Sequence, residues 1–198
     1  MARTNISVDE VISKALSDEA TRENKSQYGL ANEILESALK ICAEGGNPKE
    51  IYSSWRFLRL SKEIDTVPLP GSLVEKMVKK LYASDKDWVS QIWFDEGKRI
   101  GAYLRMFSEK IDELSGVVGE FQSFLPVKRI EFGRIETGAG KSEVFVRAIG
   151  AGLSTESTTC AERFISGIVS SYSLRVTSSK ISEGIIELRA VPETERRY

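Results

Sequence analysis

The chain has 198 residues, of which 28 are Lys or Arg and 29 are Asp or Glu, so its formal net charge is −1 at neutral pH. This balance excludes a protein that holds nucleic acid through bulk positive charge. The sequence contains no histidine, which excludes Ser-His-Asp and Cys-His catalysis and histidine-ligated zinc or haem. Its two cysteines, Cys42 and Cys160, are too few for a disulfide framework. We therefore expect a protein that is not an enzyme, with no catalytic residue, metal site or cofactor.

Membrane insertion is not expected either. The longest stretch without a charged residue is Phe164–Leu174, which has eleven residues, whereas a membrane-spanning helix needs about 18 or more. The first residues contain no apolar segment of the kind that a signal peptide requires. We expect a soluble, cytoplasmic protein with no membrane partner.

Two clusters of helix-breaking residues divide the chain, Gly-Gly-Asn-Pro at 45–48 and Pro-Leu-Pro-Gly at 68–71. They predict an N-terminal segment over residues 1–46, a helical linker over residues 47–71 and a larger domain over residues 72–198.

The N-terminal segment begins with a strand-like pattern. Polar and apolar residues alternate from Arg3 to Val8, which predicts a short strand with Arg3, Asn5 and Ser7 on one side. Ser7 and Glu10 have the spacing of a capping box that starts a first helix. The apolar stripes of two predicted helices follow, at Val8, Val11, Ile12, Ala15, Leu16 and Ala20, then at Leu30, Ile34, Leu35, Ala38, Leu39, Ile41 and Cys42. One strand and two thin stripes cannot bury a core within one chain, so this segment needs a partner.

This strand-helix-helix pattern resembles the ribbon–helix–helix DNA-binding fold over residues 2–44. In that fold, two chains pair their strands into an antiparallel ribbon that enters the major groove, and the start of the second helix offers backbone N–H groups to a phosphate. The resemblance implies double-stranded DNA as a partner and a homodimer or higher assembly. The DNA-binding residues that it implies are Arg3, Asn5, Ser7, Ser26 and Tyr28.

Two features depart from the family pattern. The link between the helices, residues 23–28, contains no glycine, and residues 1–44 hold five basic against eight acidic residues. A DNA-binding face must then be local, with the acidic residues turned away from the duplex. The alternative is that this segment serves only as a dimerisation arm.

From residue 72 onward, helices come first and strands follow, which predicts an α+β domain. The helix that opens at Ser72 is predicted to bury Leu73, Met77, Val78 and Leu81. The later part predicts an antiparallel sheet of two hairpins packed with helices: strands over 129–136 and 143–148, a helix over 160–171, and strands over 172–179 and 184–191. Gly97 and Gly101 share one helix face, as close approach of another element would require.

Residues 86–191 resemble the 4-vinyl-reductase-like domain. The motifs that carry the resemblance are Glu-Gly-Lys-Arg-Ile-Gly at 96–101, Cys-Ala-Glu-Arg-Phe-Ile-Ser-Gly at 160–167 and Glu183-Gly184. The resemblance implies a pocket for a small apolar ligand between the helices and the sheet. Its candidate lining residues are Phe94, Tyr103, Phe107, Phe121 and Phe164. The alternative is that these aromatic residues fill the core, the usual role of an apolar helical stripe.

Two glycine-containing stretches do not predict nucleotide binding. Residues 137–142, Thr-Gly-Ala-Gly-Lys-Ser, have Ile135 where a phosphate loop needs its first glycine, so we predict a hairpin turn there. Residues 150–152, Gly-Ala-Gly, lack the third glycine of a dinucleotide-binding motif.

Together these patterns predict a homodimeric DNA-binding transcriptional regulator with a C-terminal sensing or dimerisation domain. The alternative is a non-enzymatic ligand-binding or scaffold protein of the 4-vinyl-reductase-like class, whose N-terminus is only an assembly arm.

Overall fold

The structure, a computed structural model, describes residues 5–121, 127–137, 141–152 and 154–193. The prediction of an α+β fold with a C-terminal antiparallel sheet is confirmed. The helices are α1 (Glu10–Arg22), α2 (Gln27–Ala43), α3 (Glu50–Glu63), α4 (Gly71–Ser84), α5 (Lys86–Leu104), α6 (Leu114–Phe121) and α7 (Thr155–Ser171). The strands are β1 (Arg129–Thr137), β2 (Lys141–Ile149), β3 (Leu174–Ser182) and β4 (Ile185–Pro192).

The chain divides into an N-terminal unit, Met1–Ser54, and a C-terminal unit, Trp55–Tyr198. The division falls within α3, between the two boundaries that the helix-breaking clusters predict. None of the helices in the described ranges has the length and apolarity needed to cross a membrane.

The predicted N-terminal strand is not found in the part of it that the structure describes. Residues 5–9 have no regular secondary structure, and the first element is α1. The physical reason is that a lone strand has no neighbour within its own chain to satisfy its backbone N–H and C=O groups. The predicted N-cap at Ser7 is also wrong, because Asp9 caps α1 and its Oδ1 accepts a hydrogen bond of 2.9 Å from the Val11 amide. The negative charge of the Asp9 carboxylate also interacts favourably with the positive, N-terminal end of the helix dipole.

The sheet of the C-terminal unit has the strand order β1-β2-β4-β3, and every pair is antiparallel. The two predicted hairpins are β1–β2 and β3–β4, and they are joined in one sheet by the pairing of β2 with β4. The turn predicted at residues 137–142 falls between β1 and β2, and residues 138–140 lie outside the described residues. One face forms the core with α7, α6 and the short helical turn Ile111–Glu113. The other face carries a row of charged residues directly opposite one another on the four strands: Glu131, Arg147, Glu187 and Lys180.

Alternation along the strands determines the core. β2 buries Val144, Val146 and Ala148, and β4 buries Ile186, Leu188 and Ala190. From α7, Ile165, Ile168 and Val169 complete the same hydrophobic cluster. This inward and outward alternation is what the period of two in a strand requires.

Helices α5 and α7 contact each other backbone to backbone. A Cβ added at Gly97 would lie 1.9 Å from the Phe164 carbonyl oxygen, and one added at Gly167 would lie 2.1 Å from the Phe94 carbonyl oxygen. At Gly101 the added atom would lie 2.8 Å from the Ile168 Cα. The predicted close approach at Gly97 and Gly101 is thus confirmed, and α7 is the element that approaches.

We expect Gly97→Ala to lower the free energy of unfolding by about 2–3 kcal/mol, because the new methyl group forces the two helices apart. Urea denaturation followed by circular dichroism measures this. The matched control is Gly116→Ala in α6, where an added Cβ meets nothing within 4 Å; alanine there should stabilise the helix by up to about 1 kcal/mol. Equal stability of the two variants would contradict the close contact.

Candidate nucleic-acid interface

A tight turn joins the two helices of the N-terminal unit. Asn24 adopts the left-handed conformation with φ 54°, and the Lys25 amide donates a 2.8 Å hydrogen bond to the Ala20 carbonyl oxygen. Asparagine tolerates this conformation better than most residues other than glycine. Asn24 therefore takes the place of the glycine that the link lacks.

The start of α2 has the geometry of a capped helix end. Ser26 is the N-cap in an extended conformation, and its Oγ accepts a 3.0 Å hydrogen bond from the Gly29 amide. The first N–H groups of any helix point out of its end without an intrahelical acceptor. Tyr28 lies in this first turn with 61% of its surface exposed. The structure thus brings together two of the predicted DNA-binding residues, Ser26 and Tyr28, at one exposed helix end.

The charged group at this helix end has a net negative charge. Lys25 Nζ lies 2.6 Å from Glu33 Oε2 and 2.9 Å from Glu23 Oε2. The hydrogen bonds to Glu33 and Glu23 raise the pKa of Lys25, and the hydrogen bond from Lys25 lowers the pKa of Glu23. One lysine between two carboxylates leaves no excess cation here. A phosphate at this position would therefore be held by backbone N–H groups and the helix dipole rather than by a basic side chain.

The remaining predicted DNA-binding residues precede α1. Asn5 and Ser7 are exposed, and Arg3 lies outside the described residues. Ile6 and Val8, which alternate with Asn5 and Ser7, are also exposed, at 69% and 54%. The segment thus keeps its amphipathic alternation without a partner strand.

The N-terminal unit buries very little of its apolar surface. Among its described residues, Ala20 and Leu30 are the buried ones, at 2% and 6% exposure. The predicted core positions on α1 and α2 are largely open to solvent in the single chain. The large hydrophobic residues that this unit exposes are Ile6, Val8, Val11, Ile12, Tyr28, Ile34, Leu35, Leu39, Ile51 and Tyr52.

Each of the five aromatic residues of the predicted ligand pocket packs against a neighbouring side chain. The Tyr103 and Phe107 ring centroids are 5.3 Å apart, with Phe107 51% exposed. The Arg163 guanidinium carbon, Cζ, lies 4.9 Å from the ring centroid of Phe94.

The other two aromatic residues are held by different neighbours. Phe164 meets the edge of Trp93 at a centroid distance of 6.3 Å, and the buried Phe121 packs against Phe57 at 5.9 Å. Phe121, on α6, has the burial of a core residue, as the alternative interpretation of these aromatic residues expects. A pocket shared by all five stays a prediction.

Glu75, on α4, is a largely covered carboxylate near the start of α7, with 12% of its side chain exposed. Lys79 Nζ, on the same helix, lies 3.4 Å from Glu75 Oε1. Hydrogen bonding by Ser154 and Ser157, at the start of α7, acts to lower the pKa of Glu75. Burial acts to raise the pKa of Glu75, but the hydrogen bonds and Lys79 outweigh it, and the pKa is lowered. The spacing of Ser72 and Glu75 predicts a capping box at the start of this helix. That prediction is wrong, because α4 begins at Gly71 after the N-cap Pro70 and has no side-chain cap hydrogen bond.

Glu75 explains why the Gly-Ala-Gly stretch before α7 is not a phosphate loop. The helix end that a phosphate would need already has its own cap, the Ser154–Ser157 pair, together with the carboxylate of Glu75. Cys160, one turn further along, is fully buried, and burial together with the charge of Glu75 raises its pKa to about 11. A thiol in this setting stays protonated and unreactive.

A metal site and similarity to known proteins are two further sources of evidence about function, and neither gives any here. Across the described ranges, no group of three or more Cys, Asp or Glu side chains is placed to hold a metal ion. No family model, curated protein or solved structure matches the sequence. The two family resemblances accordingly stay predictions.

We expect Glu75→Gln to lower the melting temperature at pH 7 and to flatten its dependence on pH. Because the folded-state pKa of Glu75 is below the ordinary value of 4.5, its stabilisation is complete above pH 4.5 and disappears as the pH falls through the lowered pKa. Thermal unfolding monitored by circular dichroism from pH 7 down to pH 3 measures the effect. Glu109→Gln, at an exposed carboxylate, is the control; an acid dependence unchanged by Glu75→Gln would refute the assignment.

Proposed function

We propose that this protein is a cytoplasmic, homodimeric transcriptional regulator that binds double-stranded DNA through its N-terminal unit. The observation that supports the proposal best concerns residues 5–54, the described part of that unit, where two residues are buried and ten large hydrophobic residues are exposed. Full burial of one such side chain contributes about 1.5–3 kcal/mol. A unit that leaves so much of this free energy unused depends on a partner.

A second copy of the chain is the partner that fits. The exposed apolar residues form a row on each helix, Val8, Val11 and Ile12 leading into α1 and Leu35 and Leu39 on α2. A two-fold dimer presents the same rows from both chains, so each row meets an apolar counterpart. The same dimer brings together the two segments that precede α1 and supplies the partner strand that each lacks.

Pairing of these segments would form a two-stranded ribbon, and the two faces of that ribbon would have different roles. Ile6 and Val8 would point toward the helices, and Arg3 and Asn5 would point away from them because strand side chains alternate. Arginine and asparagine form two hydrogen bonds each to guanine and adenine edges in the major groove. The N-terminal unit is net acidic, so base contacts rather than bulk charge would carry the affinity.

The second candidate function is a ligand-binding or scaffold protein whose N-terminal unit is an assembly arm. The neutralised Lys25 favours it, because a dedicated phosphate site at the start of α2 would gain from an unpaired cation. In both functions the C-terminal unit has a sensing or dimerisation role. The two functions differ in whether Arg3 and Asn5 contribute to DNA binding.

We expect the double variant Arg3→Ala/Asn5→Ala to weaken binding to the protein's own upstream intergenic DNA by at least about tenfold, since each bidentate base contact contributes about 1–3 kcal/mol. Fluorescence anisotropy at two salt concentrations measures the affinity. Arg175→Ala/Asn47→Ala removes the same side-chain types at exposed positions elsewhere and should bind like the parent. Weak, salt-sensitive DNA binding that is the same with and without the Arg3 and Asn5 side chains would favour the scaffold function.

We expect Leu35→Asp to shift the N-terminal unit toward the monomer, because a buried, unpaired carboxylate at the dimer interface is strongly unfavourable. Analytical ultracentrifugation over a range of protein concentrations measures the association. Val67→Asp is the matched control, since Val67 is 69% exposed and lies in the C-terminal unit. If Leu35→Asp sediments like Val67→Asp, the apolar rows of α1 and α2 are not a dimer interface.

A further inference from the structure

Arg163 of α7 is a partly buried arginine that lacks a carboxylate partner. Its guanidinium carbon lies 4.9 Å from the ring centroid of Phe94 on α5, and its Nε is buried without a hydrogen bond to any described residue. Among the described residues, no carboxylate lies within ion-pair distance of Arg163 either. Within this part of the chain, its guanidinium thus contacts an aromatic ring rather than an anion.

The exposed arginines of the C-terminal unit are placed differently. Most of those that the structure describes pair with a carboxylate: Arg59, Arg99, Arg129, Arg134, Arg147 and Arg189. Of the others, Arg105 donates a 2.9 Å hydrogen bond to the Ser171 carbonyl oxygen, and the charge of Arg175 is open to water. Arg163 combines lower exposure with the lack of a counter-ion.

This combination is unfavourable in the absence of a further partner. An unpaired cation costs more in a partly buried position than at the surface, because it loses the water that would solvate it. The ring of Phe94 offsets part of this cost, since an aromatic face attracts a guanidinium. The ring does not replace a hydrogen-bond acceptor, however. A carboxylate or a phosphate matches the fork of guanidinium N–H groups and accepts two hydrogen bonds from it.

The contact between α5 and α7 shows which other side chains lie near Arg163. The two helices run in the same direction, because their contacts advance together: Phe94 with Arg163, Gly97 with Phe164, and Gly101 with Ile168. Residues one turn after Phe94 on α5 are therefore close to residues one turn after Arg163 on α7.

Lys98 is a second cation at this contact. It follows Phe94 by four residues, and its backbone nitrogen would lie 2.7 Å from a Cβ added at Gly167, four residues after Arg163. Lys98 is exposed, and it forms no ion pair with any described residue. Two unpaired cations thus stand beside the point where a glycine brings the helices together.

The neighbouring carboxylates are either distant along the helices or bound elsewhere. Asp87 and Glu156 precede Phe94 and Arg163 by seven residues each, a rise of about 10 Å. The remaining ones each have a partner on their own helix: Asp95 accepts from Gln91, Glu96 pairs with Arg99, and the buried Glu162 accepts from Ser166. The charge next to Phe94 is therefore locally positive.

We propose that Arg163 and Lys98 bind the carboxylate or phosphate group of a small-molecule anion at the α5–α7 contact, with Phe94 beside it. The anion supplies the acceptors that the Arg163 guanidinium lacks, and Lys98 adds a second charge at the edge of the site. This inference rests on the sensing role proposed for the C-terminal unit and deepens it by naming the chemistry of the ligand.

The first test titrates the full-length, nitrogen-15-labelled protein with sodium phosphate and, separately, with sodium benzoate, at an ionic strength held constant with sodium chloride. NMR signals of the arginine Nε–Hε groups report on each guanidinium, and the Arg163 signal is assigned by its absence from Arg163→Lys. We expect this signal to shift and to saturate with at least one anion, while the signal of the exposed Arg175 does not. The arm that saturates at the lower concentration distinguishes a phosphate ligand from a carboxylate ligand.

The second test measures thermal unfolding with and without the same anions. Binding to the folded chain should raise the melting temperature of the parent by mass action. Arg163→Met keeps a side chain of similar length without the charge and should abolish this rise, whereas the matched control Arg175→Met should retain it. If Arg163→Met does not fold, Arg163→Lys keeps the charge but not the fork and should bind the anion about tenfold more weakly.

The outcomes separate this inference from the proposed DNA binding. An Arg163 signal that neither anion moves would overturn the site, and so would a rise in melting temperature that Arg163→Met and Arg175→Met share. Arg3→Ala/Asn5→Ala should leave anion binding unchanged, because these residues lie in the N-terminal unit. If the anion binds at Arg163 while the DNA test fails, the site stands and the proposed regulator does not.

Discussion

The C-terminal unit depends on the contact between the backbones of α5 and α7. Gly97 and Gly167 allow it, since a single methyl group at either position would come within about 2 Å of a carbonyl oxygen of the other helix. Because α7 also packs in the core of the sheet, this one contact ties α5 to the strands. Val78 of α4 packs with Val89 of α5 and Cys160 of α7, so that α7 positions two other helices.

The N-terminal unit follows the opposite principle. Its two helices are well formed locally, with caps at Asp9 and Ser26 and a turn at Asn24, yet they bury almost nothing against each other. Local hydrogen bonds define the helices, and apolar burial between chains would have to supply their stability. In the proposed homodimer, folding and assembly of this unit would be one process, and its apparent stability would rise with protein concentration.

Sequence patterns predicted what a single chain determines by itself. The alternation of residues 129–136 and 184–191 gave the strands, and the spacing of Gly97 and Gly101 gave the helix face that α7 contacts. Periodicity shows which residues share a face but not whether anything covers that face, and so the exposed Leu73, Met77 and Leu81 were wrongly assigned to the core. The strand predicted before α1 was wrong for a related reason, because alternation of polar and apolar residues does not show whether a second strand is present to accept its backbone hydrogen bonds. Glu75 was assigned to the wrong helix end because Ser154 and Ser157 lie about eighty residues further along the chain.

The row of Glu131, Arg147, Glu187 and Lys180 on the open face of the sheet has a consequence for how the strands find each other. Signs alternate across all four strands, and Arg147 Nε lies 3.3 Å from Glu187 Oε1. If β4 slipped by two residues against β2 in one direction, Arg147 would face Arg189; in the other direction it would face Ile185. Such a slip keeps the apolar side chains in the core, so the hydrophobic pattern alone does not oppose it. The charges penalise these misaligned sheets, and they do so on the side that contributes nothing to the core.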